Sequence, residues 1–402
     1  MEDKELKLKV KKYLELENVN ILAGAGTSWH LGAPTIRNIP AELKKELMNE
    51  IEKYFGDSKK DQSFEDLVNC LQAEKFLQEK KGNNTDGIDK AINTMQQWLF
   101  KNCDTDNTTL KNVKNIEHLR NNRYFYHELL IKKLLQRPNN LQRANLFTTN
   151  YDMAFDYALD NLGVHYINGF MGVHNRYFRP EVYEYDIFYP GESVSGKVHR
   201  AEKVLRYYKI HGSLSWVSAK PTVSNIYGIE EISLHGGFSP SPEKQLMIYP
   251  CVSKKTFTLD LPYSELFRQF AHAINRPQSV LICLGYSFYD EHINDLIFQA
   301  LSNPSFTLII ANYIPKPKEN NNLQTIDKFH NSNNDTIQNL KKLKDPRIIF
   351  ADEGEEAQST FIGFVQNIMP DLYEEEENEI IAKTMNQLYT ESSEKEKDNE
   401  SK

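Results

Sequence analysis

Several short runs in this 402-residue chain combine small and polar residues that could do chemistry, and each follows an apolar stretch. Gly24-Ala25-Gly26-Thr27-Ser28 follows Val19–Ala23. Such a turn can present backbone N–H groups to a phosphate, aided by a helix N-terminus, or it can simply be a tight strand-to-helix turn. Thr149-Asn150-Tyr151-Asp152 closes the run Ala144–Thr149; by themselves an Asn and an Asp in such a place cap turns through their own side chains. Lys209-Ile210-His211-Gly212-Ser213 closes Val204–Ile210. Imidazole titrates near neutrality and suits a general base, although His211 is one of eleven histidines and most histidines are structural. Gly285-Tyr286-Ser287-Phe288 follows Val280–Leu284, and Asn312 follows Phe306–Ala311. Asp290 and His292 fall where caps of a helix Glu291–Leu301 are expected.

The elements that must position these residues are legible from the apolar pattern. Ala144–Thr149, Val204–Ile210, Leu246–Tyr249, Val280–Leu284, Phe306–Ala311 and Arg347–Phe350 are short and nearly continuously apolar, as expected of strands covered on both faces in a parallel sheet. Ser264–Ile274 and Glu291–Leu301 read as intervening helices, giving an α/β chain. Ala41–Phe55, Phe64–Lys81, Ile88–Cys103 and Ile116–Arg137 carry apolar residues at three- and four-residue spacing, the mark of amphipathic helices. The expected organisation is therefore an N-terminal helix over 1–18, a Rossmann-like parallel sheet built from 19–40 and 138–370, an inserted helical module over 41–137, and an acidic, largely disordered tail over 371–402. Lys316–Asn339 is polar and Asn-rich and reads as an exposed loop. Ligands of open α/β sheets bind at the carboxyl ends of the strands, which is where the runs above fall.

Composition narrows the function classes. The chain carries a net charge of −8. Residues 371–402 hold eleven acids against four lysines, a net of −7, which leaves about −1 for the body. That is no global basic footprint for nucleic acid. No apolar run approaches the roughly 18 residues of a membrane helix, and Met1-Glu2-Asp3-Lys4 does not open a signal peptide; a cytoplasmic location is expected. Cys70, Cys103, Cys251 and Cys283 stand far apart, so the paired thiolates of a zinc ribbon cannot form. Reduced, buried thiols are expected.

Taken together the runs resemble the sirtuins. Gly24, Ala25, Gly26, Ser28, Gly32, Pro34 and Arg37 fall on the sirtuin pattern G-A-G-x-S-x3-G-x-P-x-x-R, with Thr35-Ile36 where sirtuins usually have Asp-Phe. Asn150 and Asp152 match the sirtuin Gln-Asn-Ile-Asp, with Thr149 and Tyr151 in the other two places, and His211-Gly212 matches the catalytic His-Gly. Gly285 and Ser287 match Gly-Thr-Ser, and Asn312 stands where sirtuins place a ribose-contacting Asn. The resemblance covers roughly residues 19–37 and 144–352. It implies that NAD binds along Gly24, Ala25, Gly26, Thr27, Ser28, Arg37, Thr149, Asp152, Gly285, Ser287 and Asn312. It further implies that Asn150 faces the nicotinamide ribose and orients a water, that Asp152 holds the carboxamide, and that His211 is the catalytic base.

Without a zinc ribbon the chain looks like the bacterial sirtuin-like NADases of antiphage defence, and a chain of this size resembles the partner of a HerA-type ATPase. That resemblance implies a homo-oligomer that hydrolyses NAD to nicotinamide and ADP-ribose and depletes it in abortive infection, with NAD as substrate and no metal. Two other classes stay open, a zinc-independent NAD-dependent protein deacylase and a non-catalytic sensor of NAD or ADP-ribose.

Overall fold

The computed structural model describes residues 3–34, 39–55, 64–110, 116–191, 198–234, 245–247, 261–311, 335–351 and 359–373. Arg37, Asn312, Cys251, most of the polar 316–339 stretch and all but the first residues of the acidic tail lie outside these segments. The strands in chain order are β1 Asn18–Ala23, β2 Asn145–Thr148, β3 His165–Ile167, β4 Phe170–Met171, β5 Arg176–Phe178, β6 Phe188–Tyr189, β7 His199–Arg200, β8 Val204–Lys209, β9 Gly212–Ser218, β10 Ile229–Glu231, β11 Gln245–Met247, β12 Ser279–Leu284, β13 Phe306–Ala311 and β14 Ile348–Phe350.

Seven strands form a parallel sheet in the order β14-β13-β12-β1-β2-β8-β3. Continuous apolarity has the expected cause, since every residue of β1, β12 and β13 is buried. Successive side chains of a strand point to opposite faces, so Val280, Ile282 and Leu284 join one core while Leu281 and Cys283 join the other. The first core is closed by the helices Asp3–Leu14, Phe125–Leu135 and Ala154–Asn161 and by the segment 361–369; the second is closed by Tyr263–Ile274, Glu291–Leu301 and Asp335–Leu343. In the helix Asp3–Leu14, Leu6, Val10 and Leu14 recur every fourth residue and are fully buried. One polar residue sits in the sheet without penalty. The Asn20 amide donates to Ser279 Oγ at 3.0 Å and to the Val280 carbonyl at 3.2 Å, and accepts from Asn145 at 2.8 Å, so the three central strands are bridged and the group is satisfied.

The chain is thus an α/β protein built on a Rossmann-like parallel sheet, with helices inserted after β1. A second sheet is antiparallel, in the order β11-β9-β10-β5-β4. Leu246–Tyr249 was expected in the parallel sheet, yet residues 245–247 pair antiparallel with β9. A run this short shows that it is apolar but not which partner it takes; residues 248 and 249 lie outside the described segments.

Between β1 and β2 run the helices Ala41–Glu46, Met48–Phe55, Phe64–Lys80, Asp86–Cys103, Ile116–Asn121 and Phe125–Leu135. Those before Cys103 share a core of their own, formed among others by Leu43, Leu47, Leu67, Leu71 and Met95. The helix Phe125–Leu135 instead places Tyr126, Leu130, Ile131 and Leu134 in the main core. No helix among the described residues is long and apolar enough to cross a membrane. Cys103 and Cys283 are buried, and burial pushes both thiols up; Cys70, expected buried, is half-buried on its helix.

Candidate active site

The carboxyl ends of β1, β2, β8 and β12 lie side by side, and their loops lock onto one another. Strand order reverses between β1 and β12: the chain builds outward from β1 through β2, then returns to place β12 on the other side. Crevices of this kind bind ligands in open α/β sheets. The loop after β1 opens with a 3-10 turn, Ala25–Thr27, followed by a second, Trp29–Leu31. Gly24 N–H donates to the Leu284 carbonyl at 2.9 Å and Gly26 N–H to the Gly285 carbonyl at 3.0 Å, while Thr27 N–H and Ser28 N–H donate back to Gly24 and Ala25. These four N–H groups therefore hold the turn and its neighbour rather than standing open to a phosphate.

The glycines are required by the approach of the two loops. A Cβ on Gly26 would stand 2.7 Å from Gly285 Cα, and one on Gly24 2.6 Å from Tyr286 Cα. Gly285 also holds a φ of 59°, which glycine tolerates best. A side chain on Gly26 thus strikes the β12 loop itself.

Asn150 is tied to the first loop. Its Nδ2 donates to Thr27 Oγ1 and to Ser28 Oγ, both at 3.1 Å, and its backbone N–H donates to Thr148 Oγ1 at 3.0 Å. With the amide nitrogen anchored, Oδ1 points elsewhere as an acceptor. Asn150 is 7% exposed. Asp152 is buried and accepts from Ala154 N–H at 3.0 Å at the start of the helix Ala154–Asn161. It therefore does the turn capping that its place suggested. Burial pushes its carboxyl up, against the pull of Lys209 and of hydrogen bonds from Ala154 and Ser28. Thr149 N–H donates to the Ala23 carbonyl at 3.0 Å, continuing the β1–β2 ladder.

His211 is the last residue before the chain leaves one sheet for the other. Thr148 on β2 pairs with Lys209 on β8, so Asn150 and His211 each stand two residues beyond a matched pair on adjacent strands. Gly212 follows with φ 89°, turning the chain into β9. Beneath His211, Lys209 Nζ forms a buried ion pair with Asp156 at 3.0 Å and donates to the Asp152 carbonyl, while Tyr207 donates to Asp156 at 2.9 Å. This network fixes the strand end under the imidazole. The His211 Nε2 lies 3.1 Å from His292 Nε2, so one ring donates and the other accepts. Phe267 packs against both rings, at centroid distances of 6.2 and 4.9 Å.

Ser287 is exposed on the loop after β12. The same loop carries Phe288 at φ 59°, a sparsely populated conformation for a bulky residue. It is pinned by Asn294 Nδ2 donating to the Phe288 carbonyl at 2.8 Å and by Tyr286 donating to Asn294 at 3.1 Å. The structure thus brings together Gly24–Ser28, Thr149, Asn150, Asp152, His211 and Gly285.

Sequence reasoning missed His292 and Asp290, which it assigned to helix capping. His292 faces His211, and the Asp290 side chain makes no capping bond. Eighty-one residues separate the two histidines, and no spacing in the chain announces the pair. The described cysteines offer no thiolate pair: Cys103 and Cys283 belong to different cores, and Cys70 lies on Phe64–Lys80.

Residues 144–334 match the SIR2-like domain family, a span that holds Asn150, His211 and Gly285 but not the Gly24–Ser28 turn. No curated protein matches the chain. Among solved structures, a Sir2 homologue in complex with NAD is similar with a TM-score of 0.40 and 12% identity, over 92% of this chain and 96% of its own. A mutant Sir2 homologue in complex with ADP-ribose is similar with a TM-score of 0.36 and 13% identity, over 78% and 87%.

Proposed function

We propose that the chain is an NAD hydrolase that cleaves the bond between nicotinamide and its ribose, with Asn150 and His211 as the catalytic pair. The observation that carries this is their convergence. An anchored amide and an imidazole stand at matched positions on adjacent strand ends, beside the crevice where the β1 and β12 loops meet. The SIR2-like match over 144–334 supports the same chemistry.

Nicotinamide leaves from a cationic pyridinium, so the C1′–N bond breaks with its electron pair passing to the ring nitrogen, which becomes neutral. The transition state is oxocarbenium-like, as in other glycosidic cleavages. Asn150 Oδ1 accepts from the incoming water, the water oxygen bonds to C1′, and the displaced proton passes to His211. Positioning of this kind contributes on the order of 7–11 kcal/mol, and a general base about 10²- to 10⁴-fold. NAD and water thus give nicotinamide, ADP-ribose and a proton. On the sequence resemblance, we extend the proposal to a cytoplasmic homo-oligomer that works with a HerA-type ATPase in antiphage defence.

The test is to incubate the purified chain with NAD, with and without an acyl-lysine peptide, and to quantify nicotinamide and ADP-ribose. Release of both without peptide is expected. Turnover that requires the peptide would make the chain a deacylase, and binding without turnover would make it a sensor. Light scattering with and without the ATPase tests the assembly; a monomer whose turnover the ATPase never alters overturns that part.

A further inference from the structure

Two side chains stand against His211 that the reaction above does not use. The Nε2 atoms of His211 and His292 are 3.1 Å apart. Asp290 adds a carboxylate, and the three ligand atoms lie within 4.8 Å of one another. His211 is buried and the other two are half-buried, so the group is backed by protein and reachable from solvent.

Asp290 occupies the N-cap of the helix Glu291–Leu301, where an Asp side chain ordinarily accepts a first-turn N–H. Its side chain makes no such bond. The backbone carbonyl of Asp290 takes the N–H groups of Ile293 and Asn294 instead, which leaves the carboxylate grouped with the two imidazoles. The chain reaches it through Phe288, held in its left-handed conformation by Asn294.

We propose that His211, Asp290 and His292 bind a divalent transition-metal ion, of which zinc fits best. Two imidazoles and a carboxylate, with a fourth position left to water, is the donor set of an open zinc site. The spacing agrees. Zn–N bonds of about 2.0–2.1 Å at a tetrahedral angle put two nitrogens about 3.3–3.4 Å apart, and here they are 3.1 Å apart. The Asp290 carboxylate oxygen, within 4.8 Å of both nitrogens, has to close on them when the ion binds. Magnesium and calcium prefer all-oxygen shells and are disfavoured by two nitrogen donors. The ion takes the Nε2 lone pair of His211. Resting on the hydrolase assignment above, a bound ion therefore holds the enzyme silent.

The test titrates zinc into the chelator-treated full chain by calorimetry, with cobalt as a spectroscopic substitute. One ion per chain is expected, with the intense visible absorption of four-coordinate cobalt. Loss of a ligand's outer partner alone typically costs about 10–100-fold in metal affinity, so His292→Ala and, separately, Asp290→Asn should each weaken binding by more than that. Far-UV circular dichroism verifies that both variants fold. Exposed His272, on the neighbouring helix, serves as control, and His272→Ala should bind zinc like the parent. Absence of stoichiometric binding, or binding that survives both ligand variants, overturns the site. An NAD assay run alongside should show turnover lost with zinc and restored by EDTA; zinc bound with turnover unchanged overturns the silencing. A chain that binds zinc through these residues yet never cleaves NAD supports the metal site and overturns the hydrolase assignment instead.

Discussion

The parallel sheet and the helices inserted after β1 are held together differently. The sheet is covered on both faces by two large cores, and its central strands are buried along their whole length. The helices between Ala41 and Cys103 share a small core of their own, from Ile39 to Met95. Among the described residues they reach the site through a separate cluster, in which Leu99 and Cys103 pack on Tyr151 and Leu214. Tyr151 follows Asn150, Leu214 lies three residues past His211, and Leu214 N–H donates to the Tyr151 carbonyl at 3.0 Å. The sheet therefore sets where Asn150 and His211 stand, whereas the inserted helices lean on the two loops that carry them. A region with its own core and a narrow seam can shift as a unit without disturbing the scaffold.

The largest effect that separates the two regions is chemical. Asn150→Ala and His211→Ala should each lower NAD cleavage by about 10²- to 10⁴-fold and leave the melting temperature near that of the parent. Near-parental turnover in a folded His211→Ala protein would remove His211 from the mechanism.

Next comes stability. Ile282→Ala, at a fully buried sheet position, and Leu67→Ala, at a fully buried helix position, should each cost about 2–5 kcal/mol. Hydrogen exchange distinguishes them: Ile282→Ala should raise exchange across the whole chain, Leu67→Ala only within 39–103. Equal loss of protection in the sheet for both variants would show that the two regions fold as one unit.

A smaller effect is expected at the seam. Leu99→Ala leaves the sheet untouched but removes the prop beneath Tyr151. Misplacement of a reacting group by an ångström costs up to about 10²-fold, and a fall in kcat within that range is expected, with NAD affinity little changed. An unchanged kcat would mean that the helices only cover the site.

The smallest effect is pH-dependent and lies on the sheet side. His30 and His127 stack at a centroid distance of 5.4 Å in the main core, and His127 has no hydrogen-bond partner at either ring nitrogen. Burial, with Arg123 nearby, lowers His30 from its ordinary 6.5 to about 3, and burial lowers His127 well below its ordinary value. The unfolded chain then binds more protons than the folded one between these values, so stability is complete above about pH 6.5 and is lost as pH falls toward 3. His127→Phe should flatten the dependence of melting temperature on pH in that window. An identical slope in the variant would assign the acid sensitivity to other groups.

Much of the scaffold was legible because β12 and β13 are nearly continuous apolar runs that end before Gly285 and at Ala311, and because β1 breaks into Gly24-Ala25-Gly26. Asn150 and His211 each close such a run, but it was the resemblance to the sirtuin motifs that singled them out, since an Asn or a His in such a place is as readily structural. The antiparallel sheet was not legible. Phe170–Met171, Arg176–Phe178 and Ile229–Glu231 are two or three residues long, too short to display a period. The mutual packing of Gly26 and Gly285 was hidden as well, because it joins loops 259 residues apart. The opposition of His211 and His292 was hidden for the same reason, since it is set by tertiary closure rather than by spacing along the chain.

The position of β12 has a consequence for synthesis. A ribosome releases β1, the Asn150 strand and the His211 strand long before Ser279–Leu284, yet β12 must insert beside β1 with its register running from Asn18–Ser279 to Ala23–Leu284. Until then β1 is an open edge, the first loop lacks the Gly285 carbonyl that braces it, and His211 has no His292 to face. Contacts this distant in sequence form slowly. The nascent chain therefore carries Asn150 and His211 for a stretch of translation before β12 joins β1 and completes the loops around them, and a chain cut short before Leu284 never completes them.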